Sequence, residues 1–176
     1  MQFIETDLAG VYLIKPEPKE DERGFLARTF CGREFASQGL RSEIAQVNLS
    51  YNARRGTLRG MHFQDPPYDE AKLVQCLQGS IYDVIIDLRK NSETHRRWLG
   101  VELKAGSSQM LYVPEGFAHG FQTLEDKTLI NYLMFEFFAP QYARGVRWND
   151  PAFGIKWPFP DPVLSDKDRQ WPDYEG

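Results

Sequence analysis

The stretch Lys72-Leu-Val-Gln-Cys-Leu-Gln-Gly-Ser-Ile-Tyr-Asp-Val-Ile-Ile-Asp-Leu88 decides the fold class. Two runs rich in β-branched and apolar residues, 72–77 and 81–88, flank Gln78-Gly79-Ser80. That interruption predicts a tight hairpin in which glycine adopts a conformation other residues resist. Alternation along the first run places Lys72 on one face with Val74 and Cys76. An ammonium aimed into an apolar interior needs a partner or a task, whereas a lysine opening the strand at a rim needs neither. Outward from this pair the pattern repeats. Strand-like runs fall at 11–15, 25–30, 44–50, 57–62, 99–103, 109–113, 120–124 and 128–137, separated by glycine, proline or polar turns. One short helix is expected at 33–38, ended by Gly39. Many short strands without crossover helices predict an all-β antiparallel sandwich or barrel. The segment from Pro151 onward interleaves prolines with Trp157, Phe159 and Trp171, and a free tail seldom carries two tryptophans. It is expected to pack back across the barrel.

The chain has 176 residues and a formal charge of −4. That length suits one domain spanning 1–176, with enough chain to bury a substantial core. The acidic balance argues against a nucleic-acid coat, and no apolar run approaches the ~20 residues of a membrane-spanning helix. The start, Met1-Gln-Phe-Ile-Glu-Thr-Asp, lacks a charged and apolar leader. Two cysteines, Cys31 and Cys76, stand far apart without metal-ligand spacing. These features predict a cytoplasmic protein without a disulfide framework.

Two glycine-rich segments carry the densest chemical signal, Thr57-Leu-Arg-Gly-Met-His-Phe-Gln64 and Val113-Pro-Glu-Gly-Phe-Ala-His-Gly-Phe121. Each holds a histidine, His62 or His119, that could be a catalyst or a hydrogen-bonded core residue; the third histidine, His95, reads as a loop residue. Tyr132, within an apolar run, has the parallel reading of a core aromatic. Arg23 and Arg59 each precede a glycine, which lets a guanidinium approach a phosphate closely. By composition alone, Asp168 in Leu164-Ser-Asp-Lys-Asp168 belongs to a solvated charged tail. A metal-binding barrel of this kind would offer His-x-His, and here His62-Phe-Gln64 lacks the second histidine. Strict alternation puts Arg59 and His62 on opposite faces, so a common site requires a bulge at Gly60.

At these motifs the chain resembles the dTDP-4-dehydrorhamnose 3,5-epimerase family of the cupin superfamily. The likeness runs over nearly the whole length, through Asp21-Glu-Arg-Gly-Phe25, Gln46-Val-Asn48, Leu58-Arg-Gly-Met-His-Phe-Gln64, Lys72-Leu-Val74, Asp83-Val84, Asp87-Leu-Arg89, Pro114-Glu-Gly-Phe-Ala-His-Gly-Phe121, Trp148-Asn-Asp-Pro151, Ile155-Lys-Trp-Pro158 and Leu164-Ser-Asp-Lys-Asp168. It implies a cupin-type jelly-roll barrel and an isomerase that inverts C3, C5 or both of a nucleotide-linked 4-keto-6-deoxyhexose. By the same resemblance His62 is the base, Asp168 its partner, Lys72 the cation near the sugar carbonyl and Tyr132 the acid. Arg23, Arg59, Gln46, Asn48 and His119 fall at substrate-binding positions. The resemblance further implies no metal or redox cofactor, a nucleotide-diphosphate sugar as substrate, and a homodimer that exchanges an amino-terminal strand. Departures cluster at Tyr132-Leu-Met-Phe-Glu-Phe-Phe138, where Phe137 and Phe138 lack hydroxyls and Leu133 replaces a common lysine. Gln75 stands where arginine is frequent. Together these suggest lost polar groups near the nucleotide end. The rival readings are a single-centre epimerase on a different nucleotide sugar, a non-catalytic sugar-nucleotide-binding cupin, and a metal-dependent cupin.

Overall fold

The computed structural model describes residues Met1–Gly176, and its elements are short, as the turn-rich sequence requires. In order they are β1 (Gln2–Glu5), β2 (Tyr12–Lys15), β3 (Lys19–Asp21), β4 (Gly24–Leu26), α1 (Gly32–Ser37), β5 (Gln46–Asn52), β6 (Leu58–Gln64), β7 (Lys72–Gln78), β8 (Ser80–Asp87), β9 (Trp98–Lys104), β10 (Met110–Val113), β11 (Phe117–Thr123), β12 (Thr128–Met134), β13 (Ala143–Gly145) and α2 (Asp166–Arg169). Two antiparallel sheets face each other, a six-stranded one ordered β1-β2-β10-β7-β12-β5 and a five-stranded one ordered β13-β6-β11-β8-β9. With its packed carboxy-terminal segment this is an antiparallel two-sheet barrel, as the strand pattern predicts, of the jelly-roll kind that the resemblance implies.

The strands read as near-continuous apolar runs because both of their faces are covered. Between the sheets lie Val74, Cys76, Ile81, Ile85, Leu111, Val113, Phe117, Phe121 and Ile130. The alternate residues of the six-stranded sheet, including Leu73, Met110 and Tyr112, pack outward on Phe35 of α1. The alternate residues of the five-stranded sheet, including Met61, Val84, Ile86 and Ala118, are covered by Val146, Phe153, Ile155, Trp157 and Tyr174. The carboxy-terminal segment therefore packs back on the barrel, and its Val163 forms a parallel bridge with Thr57.

Three expectations need correction. Gly79 does not close a hairpin: β7 and β8 belong to different sheets, so the turn is a corner from one layer to the other. Its backbone there has φ +76°, and an added Cβ would meet Thr128 Oγ1 at 2.5 Å. The run at 25–30 is strand only as far as Leu26, where it forms a separate exposed ribbon with β3. Asp168 is no part of a solvated tail: it sits in α2, whose Ser165 caps it by accepting the Asp168 N–H, and it is buried. The sequence reading also missed β1, β3, β13 and α2, all of five residues or fewer.

Candidate active site

The bulge required at Gly60 is present. His62 pairs with His119 while Arg59 pairs with Phe121, so β6 spends one more residue than β11 over the same span. Gly60 takes φ +144°, and a Cβ there would stand 2.6 Å from the Cα of Gly120. Only a residue without a side chain lets the two backbones approach this way. As a result Arg59 and His62 line one cavity of about 380 Å³.

That cavity lies between the sheets and collects Gln46, Asn48, Arg59, His62, Lys72, His119, Tyr132 and Asp168 from the sequence-derived set. His62 and His119 rise from the five-stranded sheet, Lys72 and Tyr132 from the six-stranded sheet opposite. His62 Nε2 lies 2.6 Å from Asp168 Oδ1. Burial opposes the charge of Asp168, but hydrogen bonds from His62, Ser165 and Trp171 prevail and hold its carboxyl below the usual range. His119 Nε2 forms a second such pair, 2.7 Å from Asp83 Oδ1. Lys72 points inward beside Val74, and its Nζ is 2.7 Å from Glu70 Oε1; Lys72 is buried and the Glu70 side chain keeps only 9% of its surface exposed. The inward reading of Lys72 thus holds, with Glu70 as the partner that burial demands. Tyr132 opens partly to the cavity. Desolvation in the barrel, with the charge of Asp83, pushes its hydroxyl well above its ordinary value against the opposing pull of Arg59. Its hydroxyl therefore keeps its proton at neutral pH.

Arg23 is the one predicted site residue that this cavity does not contain. It sits at the tip of the β3–β4 ribbon, 84% exposed and paired with Asp21. Of the departures noted in the sequence, only Phe138 lines the cavity. Leu133 packs outward against the α1 side, and Gln75 alternates away from Lys72, so neither changes the cavity wall. Gln64, at the failed second ligand position, ties two loops together: its amide donates to Tyr68 O and Phe137 O and accepts from Ala139 N. No group of three or more His, Cys, Asp or Glu side chains stands where it could share a metal ion.

Sequence reasoning missed Glu70, Asn52, Arg144, Lys167 and Trp171. Asn52 Oδ1 accepts from Arg59 Nε at 2.8 Å and orients the guanidinium without neutralising it. Arg144 and Lys167 add positive charge to the cavity lining. Glu70 was legible in principle as the nearest acid to an inward lysine. Arg144 and Trp171 reach the site only through β13 and the tail, whose placement has no local signal.

A family model described as dTDP-4-dehydrorhamnose 3,5-epimerase matches residues 5–175. The chain belongs to that family. The enzyme is thus an isomerase, a carbohydrate epimerase of cupin-like fold. Among curated relatives, the dTDP-4-dehydrorhamnose 3,5-epimerase of Methanothermobacter thermautotrophicus is 44% identical, over 97% of this chain and 92% of its own. Among solved structures, the dTDP-4-dehydrorhamnose 3,5-epimerase of Bacillus anthracis, with TDP and PPi bound, superimposes with a TM-score of 0.95 at 42% identity, covering 98% and 99% of the two chains. A 3'-monoepimerase from Streptomyces bikiniensis in complex with dTDP-quinovose has a TM-score of 0.88 at 32% identity, covering 96% and 85%. Relatives of this enzyme are thus 4-keto-6-deoxy sugar epimerases of deoxysugar biosynthesis. No helix is long and apolar enough to cross a membrane.

Proposed function

We propose that the enzyme inverts C3, C5 or both of a dTDP-linked 4-keto-6-deoxyhexose by removing and returning protons beside the C4 carbonyl. The observation that carries this reading is the opposition of a histidine–carboxylate pair on one sheet to an inward ammonium and a protonated tyrosine on the other. The carbonyl acidifies the hydrogens on both neighbouring carbons. His62, oriented by Asp168, takes a proton from one face of the ring. The ammonium of Lys72 stabilises the negative charge that develops on the C4 oxygen. Tyr132 returns a proton to the opposite face, and the configuration inverts. Proton transfer of this kind needs no metal or redox group. His119 binds the sugar beside Tyr132, whose ring centroid is 6.1 Å away.

Arg59, Arg144 and Lys167 suit a diphosphate, with Gln46 and Asn48 as polar contacts along the same wall. Phe138 offers the base a ring face without a hydroxyl. The whole chain, 1–176, acts as one cupin-type domain. A second copy completes the site. Val47, Leu49 and Tyr51 project from the edge strand β5 with more than half their surface exposed, as do Phe25 and Leu26 on the β3–β4 ribbon. An apolar face of this kind fits a homodimer interface. In such a dimer an amino-terminal strand joins the partner's sheet, and the exposed β3–β4 ribbon, with Arg23 at its tip, is free to reach the partner's cavity.

The likeness to a 3'-monoepimerase favours a second reading, in which only one centre inverts. Solvent exchange in D₂O with dTDP-4-keto-6-deoxyglucose, followed by NMR, tests both. Deuterium at C3 and C5, lost in His62→Ala, supports the double inversion. Label at one carbon supports the single one, and label at neither overturns the assignment of this substrate.

A further inference from the structure

We propose that Trp171 is a positioning residue that sets how strongly Asp168 holds the imidazole of His62. The indole Nε1 donates to Asp168 Oδ1 at 3.3 Å, the same oxygen that meets His62 Nε2 at 2.6 Å. Its ring stands edge-on to that imidazole, with centroids 6.0 Å apart. One carboxylate oxygen therefore divides its charge between two N–H donors, and the share left for the imidazole depends on the indole.

The surrounding chain is built to hold the indole there. Gly145 of β13 lies directly opposite His62 in the strand register, and Trp171 packs on it. A Cβ at Gly145 would stand 2.4 Å from Cε2 of the indole, so the ring occupies space that any other residue would fill. Lys167 covers the ring, its Nζ 5.3 Å from the ring centroid. Beyond the tryptophan the tail is fastened: Pro172 O accepts from Arg147 N, the Asp173 carboxylate binds the Arg147 guanidinium, and Tyr174 N donates to Asp150. These anchors lie outside the cavity, yet they fix the residue that touches Asp168.

The inference rests on His62 being the base, but its test does not depend on turnover. In Trp171→Phe a ring remains against Gly145 while the shared donor is gone. Asp168 then concentrates its charge on the imidazole and favours the protonated ring. The other ionisable groups around His62 are Arg59 on its own strand, His119 on β11 and Arg144 on β13. Lys167 of α2 and the Lys72–Glu70 pair and Tyr132 of the facing sheet complete the set. None of them is substituted in the variant, and Lys167, the one that rests on the replaced ring, keeps an aromatic face beneath it.

The measurement is an NMR titration of ¹⁵N-histidine-labelled wild type, Trp171→Phe and Gly145→Ala, without ligand. It is read beside the pH profile of kcat/KM with dTDP-4-keto-6-deoxyglucose. The expected result is an upward move of about half a pH unit in the His62 titration and in the acid limb of the profile, with both variants moving the same way. A titration that stays in place in both variants overturns the proposal. A titration that moves while wild type turns over no substrate supports the role of Trp171 and overturns the substrate reading alone.

Discussion

Two histidine–aspartate pairs stand side by side in this barrel, at 2.6 and 2.7 Å, built from different materials. His119 and Asp83 come from neighbouring strands of one sheet, and both are buried. His62 keeps 41% of its side chain exposed and takes its aspartate from a four-residue helix in the tail. Asp168 accepts from two side-chain donors at Oδ1, whereas Asp83 has one partner at Oδ1 and leaves Oδ2 buried with no hydrogen bond. A base must reach its substrate and return to neutrality within each cycle, so it needs exposure and an adjustable partner. A group that only holds a charge or a hydroxyl in place does better inside the wall. On the proposed reading the accessible pair transfers the proton and the enclosed pair fixes the cavity wall.

Substituting each histidine breaks the comparison most directly. His62→Ala should lower kcat by about 10²–10⁴ and cost only about 1 kcal/mol of stability, since the exposed ring gives up little packing and buried Asp168 keeps the Trp171 N–H as a donor. His119→Ala should also reduce turnover, but it leaves Asp83 buried without any partner. It should cost about 3 kcal/mol, or roughly 6–12 °C in Tm. Kinetics and thermal melts on the two variants check both halves. Equal losses of stability would erase the distinction.

The Lys72–Glu70 pair sharpens it from the facing sheet. Lys72→Met strands a buried carboxylate and is expected to destabilise by about 3–5 kcal/mol as well as abolish enolate stabilisation. Adding Glu70→Gln should restore most of the stability and none of the activity, as measured by denaturant unfolding and turnover. Recovery of activity in the double variant would remove Lys72 from the mechanism.

A third carboxylate, Asp87, lies four residues along β8 from Asp83 and shows what full satisfaction does. Burial opposes its charge, yet Arg89, Ser92, Thr94 and the Arg89 N–H all donate to it and hold its carboxyl well below the ordinary range. A carboxyl depressed by folding contributes stability at pH values above about 4 and loses that contribution as pH falls toward the folded value. Unfolding measured from pH 6 down to pH 2 should therefore show an acid-induced loss that is shallower in Asp87→Asn. No difference in slope would mean that the network is not formed in solution.

The strands were legible because two covered faces leave dense apolar runs, and the bulge at Gly60 could be anticipated from the conflict between Arg59 and His62. Alternation put Lys72 on the face of Val74 and Cys76 but left an inward lysine and a rim lysine both open. Asp168 did not: its sequence is charged and short, and only the docking of the tail makes it a buried residue. Arg144 and Trp171 were hidden for the same reason, since a three-residue strand and a proline-broken tail carry no period. Gly79 misled because the signature of a hairpin and that of a corner between sheets are the same at the level of one glycine.

The smallest expected effect tests whether tail and wall are independent. Cys76 faces the barrel interior, its thiol donating to Gln78 O and Gly79 O at 3.3 Å, and burial pushes it up to about 11. It should react with a thiol reagent near pH 8 only when the barrel opens, while half-buried Cys31 reports the outer surface. Trp171→Phe and Asp168→Asn should change the Cys76 labelling rate by less than about twofold, because they loosen the tail alone. His119→Ala should raise it by about 10²-fold, the population shift that a 3 kcal/mol loss implies. If the tail variants accelerate labelling as much as His119→Ala does, tail and barrel open together. The exposed pair would then owe its geometry to the same cooperative unit as the buried one.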